Sequence, residues 1–584
     1  MRSVDIRKSL SNPEHRLTAT AIVLAAIFGA FAAISPRFDS HEDVHDRPVW
    51  LALGILYAAC AVYFYAVRLA CRCRSGRPLL LRVLLPAIGF RLLLVGSVPV
   101  LENDLYRYVW DGNVSAVGVS PYRYSPQQVI RAQLNDPLDD DLTRLVRLRQ
   151  ERPGLQELLE QVNHPELPTI YPPVSQWAFE CAARTTPRDA APSTYLIVMK
   201  AWMTLFDVGA LLALIGILQR TGMHLGWSVA WGWCPLVLKE FANSGHLDSI
   251  AVFLTTSALY CCLEPMFGKP RVSSGYPAIE KLLKSAIWLS LAVGAKLYPI
   301  VLLPLMAFSI RRRVGPTAAS IYVTATIAIA VCILRPMLSG DVAELSARKD
   351  TTEIRVAPEL PSEPPPVPAA LFQPQNPAGG LTAFLNRWEM NDFIFLFVVE
   401  NLRVHDDTPR NERPWFVLVP DSLRRRSSEF SESIWGLDAS SATFRSARAI
   451  TLLAFVIVAC ALAVRASHAA EPSAWLESAF LTLAWFWLLA PTQFPWYWCW
   501  ALVLAPYARG HAWLFMSACS LYYYSRFWLT WHSPQQVWGT PYDGWLFYFY
   551  VANWIAYVPW FTWLACEAIC RHRSARRNEP TSCC

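Results

Sequence analysis

The chain has 584 residues, 54% hydrophobic and 13% aromatic with only 17% charged, which excludes an ordinary soluble domain and places it among polytopic membrane proteins. A formal net charge of +7 is small for this length, and the basic residues fall in short segments between apolar runs, so topology rather than nucleic acid accounts for it. Fifteen cysteines lie mostly inside apolar runs or basic loops, which argues against a disulfide framework.

A helix needs about 20 residues to cross about 30 Å of hydrocarbon. Runs of that kind are expected near 17–35, 49–70, 79–100, 195–218, 225–242 and 247–266. An interrupted apolar stretch follows at 284–310, then runs near 316–338, 447–466, 473–490, 496–508, 512–531 and 545–568. The first is long for a signal peptide and leads straight into another span, so it is read as a retained anchor. The expected fold class is an all-α polytopic membrane protein, a helical bundle of about 12–14 membrane segments.

Arg72, Arg74 and Arg77, then Lys269, Arg271, Lys281 and Lys284, then Arg311, Arg312 and Arg313, and the tail with Arg571, Arg573, Arg576 and Arg577 mark the cytoplasmic side. Both termini are expected there, and two long connections, 101–194 and 339–446, fall outside. The division follows: an N-terminal hairpin at 1–78, a core at 79–338 carrying the first outer loop, a proline-rich outer loop at 339–446, and an aromatic-rich bundle at 447–584. The proline-rich middle of the second loop, 357–380, is read as an extended tether.

Lys284 and Arg311 are both inside markers, yet the stretch between them is too short for two full crossings. It must go out and return, with a break at Gly294–Pro299 that carries Lys296. Broken helices in membranes are tolerated where the freed backbone lines a polar cavity.

The first outer loop opens with LENDLYRYVWDG. Asp104, Arg107, Tyr108 and Asp111 share one helical face, with Leu105 and Val109 on another. An interfacial helix with a polar face toward a cleft fits; so does a solvated helix whose Arg107 merely pairs with a neighbouring acid. Ionisable groups at the hydrocarbon boundary are costly unless partnered or used. Three further segments carry candidates. NHPELPTIYPPVSQW at 163–177 is a proline-stiffened loop with His164, Tyr171 and Gln176. LKEFANSGHLDSI at 238–250 clusters Lys239, Glu240, His246 and Asp248 in a short turn, where a buried histidine beside a helix-capping aspartate is the plainer explanation. The loop at 36–48, with His41, Glu42, Asp43, His45 and Asp46, is read as solvated rather than metal-binding. The aromatic runs at 483–500 and 520–533 are read as interfacial belts, with Gln493 and Arg526 as minor candidates for a lipid-phosphate groove.

ENDLYRYVWDG, SPY at 120–122, NHPELPTIYPPVSQW, GHLDSIAV at 245–252 and KLYP at 296–299 together, and in this order, resemble bacterial polytopic mannosyltransferases of the GT-C fold. The resemblance spans about residues 80–310. It implies a polyprenyl-phosphate sugar as donor and a catalytic carboxylate in the first large outer loop, at Asp104. The family pattern often has adjacent acids there, whereas this chain has Asn103 before Asp104 and Glu102 one position earlier; its NPY turn is SPY here. That departure weakens any metal held by paired acids, so neither metal nor cofactor is expected.

Sugar transfer from a lipid phosphate needs a base for the acceptor proton and cations for the departing phosphate. Asp104 is the expected base, with Arg107, Lys296 and His246 as phosphate partners. Asp248, Glu102, Asp111, Tyr108, His164 and Tyr171 are expected as further substrate contacts or support. The expectation is an inverting membrane glycosyltransferase that moves mannose from a lipid-linked donor to a glycolipid or glycan, outside the bacterial inner membrane and with no nucleic-acid partner. A lipid-linked saccharide flippase would place its charges near the midplane and in repeated halves. An O-antigen ligase or polymerase would concentrate basic residues in a late outer loop.

Overall fold

The computed structural model describes residues 12–134, 138–268, 276–338, 389–406 and 408–577. The proline-rich segment 357–380 and the basic residues Lys269 and Arg271 lie outside them. The N-terminal half contains α1 (Pro13–Ile34), α2 (Val49–Ala70), α3 (Arg77–Val95), α4 (Asp104–Ala116), α5 (Pro173–Thr185), α6 (Pro192–Thr221), α7 (Asp248–Phe267), α8 (Tyr276–Ala295), α9 (Leu303–Arg313) and α10 (Pro316–Leu338). Beyond it come α11 (Ile394–Leu402), α12 (Ala439–Ser467), α13 (Pro472–Leu489), α14 (Pro495–Leu502), α15 (Ser525–His532) and α16 (Asn553–Arg577). Proline opens α1, α5, α6, α10, α13 and α14, at positions where its missing N–H costs nothing. Among the described residues there is no strand, only one parallel bridge between Met390 and Thr492.

Seven helices, α1, α2, α3, α6, α7, α10 and α12, are long and apolar enough to cross a membrane. The chain is an all-α integral membrane protein, but it has fewer uninterrupted spans among the described residues than the about 12–14 expected. The run at 225–242 breaks into a turn at Leu225–Ser228, a short helix at Val229–Gly232, and a π turn at Leu238–Asn243. Pro235 removes a donor in its middle, and the surrounding residues are fully buried, so the freed backbone meets protein rather than lipid. The runs at 496–508 and 512–531 are likewise divided, into α14, an eight-residue helix at Ala512–Cys519, α15 and short turns between them. At 284–310 the expected break is present: α8 ends at Ala295 and a tight turn at Tyr298–Leu302 leads into α9, although α8 is a full 20-residue helix rather than a short arm.

Two buried cations near the C-terminal end of α3 are well partnered. Arg91 on α3 holds Asp207 on α6 through two contacts, at 2.7 and 3.0 Å, and donates to the carbonyls of Ala87 and Gly232, while Trp231 donates to Asp207 at 2.8 Å. Lys200 on α6 donates to the carbonyls of Leu94 and Ser97. These bonds fix the C-terminal end of α3 against α6, the point from which the first long loop departs. That loop is itself folded: α4 lies along α5 so closely that a Cβ on Gly112 would sit 2.3 Å from the Phe179 carbonyl oxygen. α5 in turn packs on α8, where the Ser175 hydroxyl donates to the Ala295 carbonyl at 2.8 Å, one residue before Lys296.

Candidate active site

The turn into α4 is strained and pinned. Asn243, at the end of the π turn, accepts from the Val100 N–H at 3.0 Å and donates to Ser97 and Val98, both at 2.8 Å. Leu101 then adopts a left-handed conformation, φ 59°, which costs a residue with a Cβ about 1–2 kcal/mol. The consequence is that Glu102, Asn103 and Asp104 turn toward one space, a cavity of about 350 Å³.

Asp104, Glu102, Arg107, His164, Tyr171 and Lys296 all line that cavity. Asp104 is the first residue of α4, and its carboxylate has no hydrogen bond or ion pair among the described residues. Glu102 is its neighbour. The Glu102 Oε1 is shut off from solvent without a hydrogen-bond partner, and burial pushes the carboxyl up to about 7 against the pull of Lys239 and His246. Arg107 spends its Nε on Asp111 at 3.0 Å and one terminal nitrogen on the Leu167 carbonyl at 2.8 Å. His164, half exposed and left-handed at φ 50°, faces Glu166 at 3.5 Å. Burial and the Asp104 charge hold the Tyr171 phenol well above its ordinary range.

Lys296 stands at the helix break. Its ammonium donates to Asp248 Oδ2 at 2.9 Å and lies 4.3 Å above the Tyr497 ring, while 18% of its side chain stays exposed. Asp248 does not reach the cavity, because its other oxygen accepts the Trp500 indole N–H at 2.6 Å. Fully buried and doubly bonded, it is the anchor of Lys296.

Three more expected contacts lie behind the cavity wall. Tyr108 is sandwiched against Phe179, ring centroids 4.6 Å apart, and meets Tyr171 edge-on. Asp111 is buried between Arg107 and Gln176, which donates to it at 3.1 Å. The polar face of α4 is therefore divided: Asp104 and Arg107 at its start line the cavity, while Tyr108 and Asp111 further along meet α5. His246 is fully buried, stacked on Trp496 at 3.9 Å and 3.3 Å from Glu240. Glu240 also accepts from Tyr524 at 2.7 Å and pairs with Lys239 at 3.4 Å.

A sequence model of the alpha-(1->6)-mannopyranosyltransferase N-terminal domain matches residues 20–312, the stretch that holds Glu102, Asp104, Arg107, His246 and Lys296. The chain belongs to that mannosyltransferase family. It is thus a membrane glycosyltransferase, and the flippase alternative gives way. Comparison with curated proteins and with solved structures returns no match.

In this mannosyltransferase the opposite wall of the cavity comes from beyond the matched stretch: Met390, Phe494, Trp496, Tyr497, Tyr523 and Arg526. The aromatic run at 483–500 is not a belt facing lipid. Trp487, Trp496, Trp498 and Trp500 are buried, stacked among themselves and against Tyr497 and Tyr557. Gln493 is buried structure, donating to the Leu488 and Ala490 carbonyls. Arg526 does reach the cavity, its guanidinium over the rings of Tyr523 and Phe527. Residue type alone marked none of Trp496, Tyr497 or Trp500 as site-forming; their only signal was unusual aromatic density.

A second, mostly apolar cavity of about 670 Å³ adjoins the first. Leu452, Phe455, Phe486 and Leu489 line it, with Arg445 and Arg448 on α12. Ile170, Tyr171, Lys296 and Tyr497 belong to both cavities. The apolar space and the polar one therefore meet at a single ammonium.

Proposed function

We propose that this mannosyltransferase takes mannose from a polyprenyl-phosphate donor and transfers it, with inversion, to a hydroxyl of a glycan or glycolipid on the extracytoplasmic face. The observation that carries this reading is the junction at Lys296. An apolar groove suits a prenyl chain, a polar cavity with a bare carboxylate suits two sugars, and the cation between them stands where a phosphate linking chain to sugar would lie.

In the step, the acceptor hydroxyl gives its proton to Asp104 as its oxygen bonds to C1 of mannose. The C1–O bond to phosphate breaks, its electron pair stays on the phosphate oxygen, and the polyprenyl phosphate leaves. Lys296 and Arg107 balance the charge that grows on it. Asp248 and Trp500 hold Lys296 in place beforehand, so little reorganisation is needed. Glu102 supports Asp104, and Trp496, Tyr523 and Arg526 offer ring faces and a donor to the acceptor sugar. One displacement inverts the anomeric carbon, so an alpha product requires a donor whose phosphate is beta-linked. The chain's own groups supply base and cations, and the reading assigns no step to a metal. The basic segments toward the other end of the spans support an extracytoplasmic cavity.

The test is transfer by purified protein in detergent from mannosyl polyprenyl phosphate, set against the nucleotide sugar. Transfer from the lipid donor alone is expected. Equal rates from the nucleotide sugar would overturn the donor assignment, and full activity of Asp104→Asn would overturn the base.

A further inference from the structure

The geometry points to a second binding site, for the phosphate of an anionic phospholipid headgroup, at the end of the spans opposite the reaction cavity. A separate cavity of about 390 Å³ is lined there by Arg465, Arg509, Arg571, His572, Glu477 and Trp513. Its position follows from α12, which brings Arg448 to the apolar groove near its start and Arg465 to this cavity near its end. At 1.5 Å per residue the two arginines are roughly 25 Å apart along the helix axis. α13 runs the other way, with Glu477 here and Leu489 at the groove.

Three guanidinium groups converge from three segments: the end of α12, the turn at 509, and the end of α16. The Arg509 Nε lies 3.0 Å from Glu477 Oε2, and Arg465 donates to the same oxygen at 2.6 Å. Arg571 donates to the backbone carbonyl of Arg509. One carboxylate thus faces three cations. The other nearby acid, Glu567, is spent on the backbone N–H groups of His511 at 2.8 Å and Ala512 at 3.4 Å. The cavity keeps a net positive charge and planar donors without carboxylate partners among the described residues, and guanidinium groups match phosphate oxygens in pairs.

Location selects the source of the phosphate. The cluster sits at the C-terminal end of α12, a helix long and apolar enough to cross a membrane, beside the start of α13 and the C-terminal part of α16, and Leu481 and Trp513 add apolar surface to its lining. A headgroup can place its phosphate among the arginines while its acyl chains stay in the bilayer, as basic pockets between spanning helices do. Arg311, Arg312 and Arg313 end α9 with the same sign, and Arg313 reaches the Ala469 carbonyl in the turn between α12 and α13, so the local field favours an anion.

The experiment measures binding of phosphatidylglycerol, phosphatidylcholine and inorganic phosphate to the full-length protein in neutral detergent, by thermal shift and by native mass spectrometry. Phosphatidylglycerol should bind and raise the melting temperature, while phosphatidylcholine and inorganic phosphate should not. R509Q/R571Q, at two exposed or half-exposed positions, should weaken that binding on the order of 5-fold per arginine and leave mannosyl transfer in detergent unchanged. R509K/R571K should recover part of it, which separates lost charge from a disturbed fold. Equal binding of both lipids, or unchanged phosphatidylglycerol binding by R509Q/R571Q, would overturn the site. Saturation by inorganic phosphate alone would overturn the lipid as its occupant.

Discussion

The two halves of the chain meet at one cavity but bring different chemistry to it. Residues 20–312, matched by the mannosyltransferase family, supply Asp104, Glu102, Arg107 and Lys296. The second half supplies Trp496, Tyr497, Tyr523 and Arg526, and the apolar groove walls on α12 and α13. In the proposed mechanism the ionisable groups that act on the reacting bonds thus come from one half, and much of the apolar and aromatic surface from the other. The contrast also shows what binds the halves together: Trp500 to Asp248 at 2.6 Å and Tyr524 to Glu240 at 2.7 Å put second-half donors on first-half carboxylates.

The sharpest test of that division is Asp104→Asn, expected to lower kcat about 10²- to 10⁴-fold in a radiolabelled mannose transfer assay, with the melting temperature unchanged. A variant that keeps its turnover would hand the base role to Glu102 and leave the contrast without its catalytic pole.

Lys296→Met should cost about 10²- to 10³-fold in kcat, the range for removing one preorganised donor. It should also destabilise the fold by about 3–5 kcal/mol, because Asp248 is left charged and buried with only Trp500. Adding Asp248→Asn should restore stability, read by thermal unfolding, and leave the rate low. Recovery of both would reduce Lys296 to a structural pair.

On the other side of the cavity, Trp496→Ala and Arg526→Gln should act on binding. About a tenfold rise in acceptor KM, with kcat changed only a few-fold, is expected, the behaviour of contacts equal in ground and transition states. A fall in kcat at constant KM would move these residues into the chemistry and break the contrast. Trp496 also supports the His246 ring at 3.9 Å, so Arg526→Gln is the cleaner of the two.

The smallest effect concerns Glu102. Its carboxyl is raised from 4.5 to about 7 by burial, so the folded protein holds a proton that the unfolded chain releases between those values. That contribution is fully present below pH 4.5 and is lost as pH rises to about 7. Glu102→Gln should flatten the decline of melting temperature across that window, and an unchanged slope would place the titration elsewhere.

Much of the membrane character and part of the cavity were legible in the chain itself. Apolar run lengths predicted α2 from Val49 to Ala70 and placed α7 and α10 within a few residues, because crossing hydrocarbon demands a long, uncharged helix wherever the protein folds. The bend at Lys296 followed from basic flanks too close together for two crossings. Asp104, Glu102, Arg107, His164, Tyr171 and Lys296, picked by residue type, spacing and family resemblance, do share one cavity.

Tertiary structure decided the rest. Asp248 became an anchor rather than a ligand contact only when Trp500, 252 residues later, donated to it. α4 was recognisable as a helix, but the Tyr108 and Asp111 part of its polar face was buried by α5, whose approach depends on Gly112. Trp487, Trp496, Trp498 and Trp500 point inward, and Pro235 splits a run that hydropathy reads as whole. Local composition specifies whether a segment suits lipid or water. It carries no record of which distant side chain will meet which, and in this protein those meetings separate the groups that line the cavity from the groups that hold them in place.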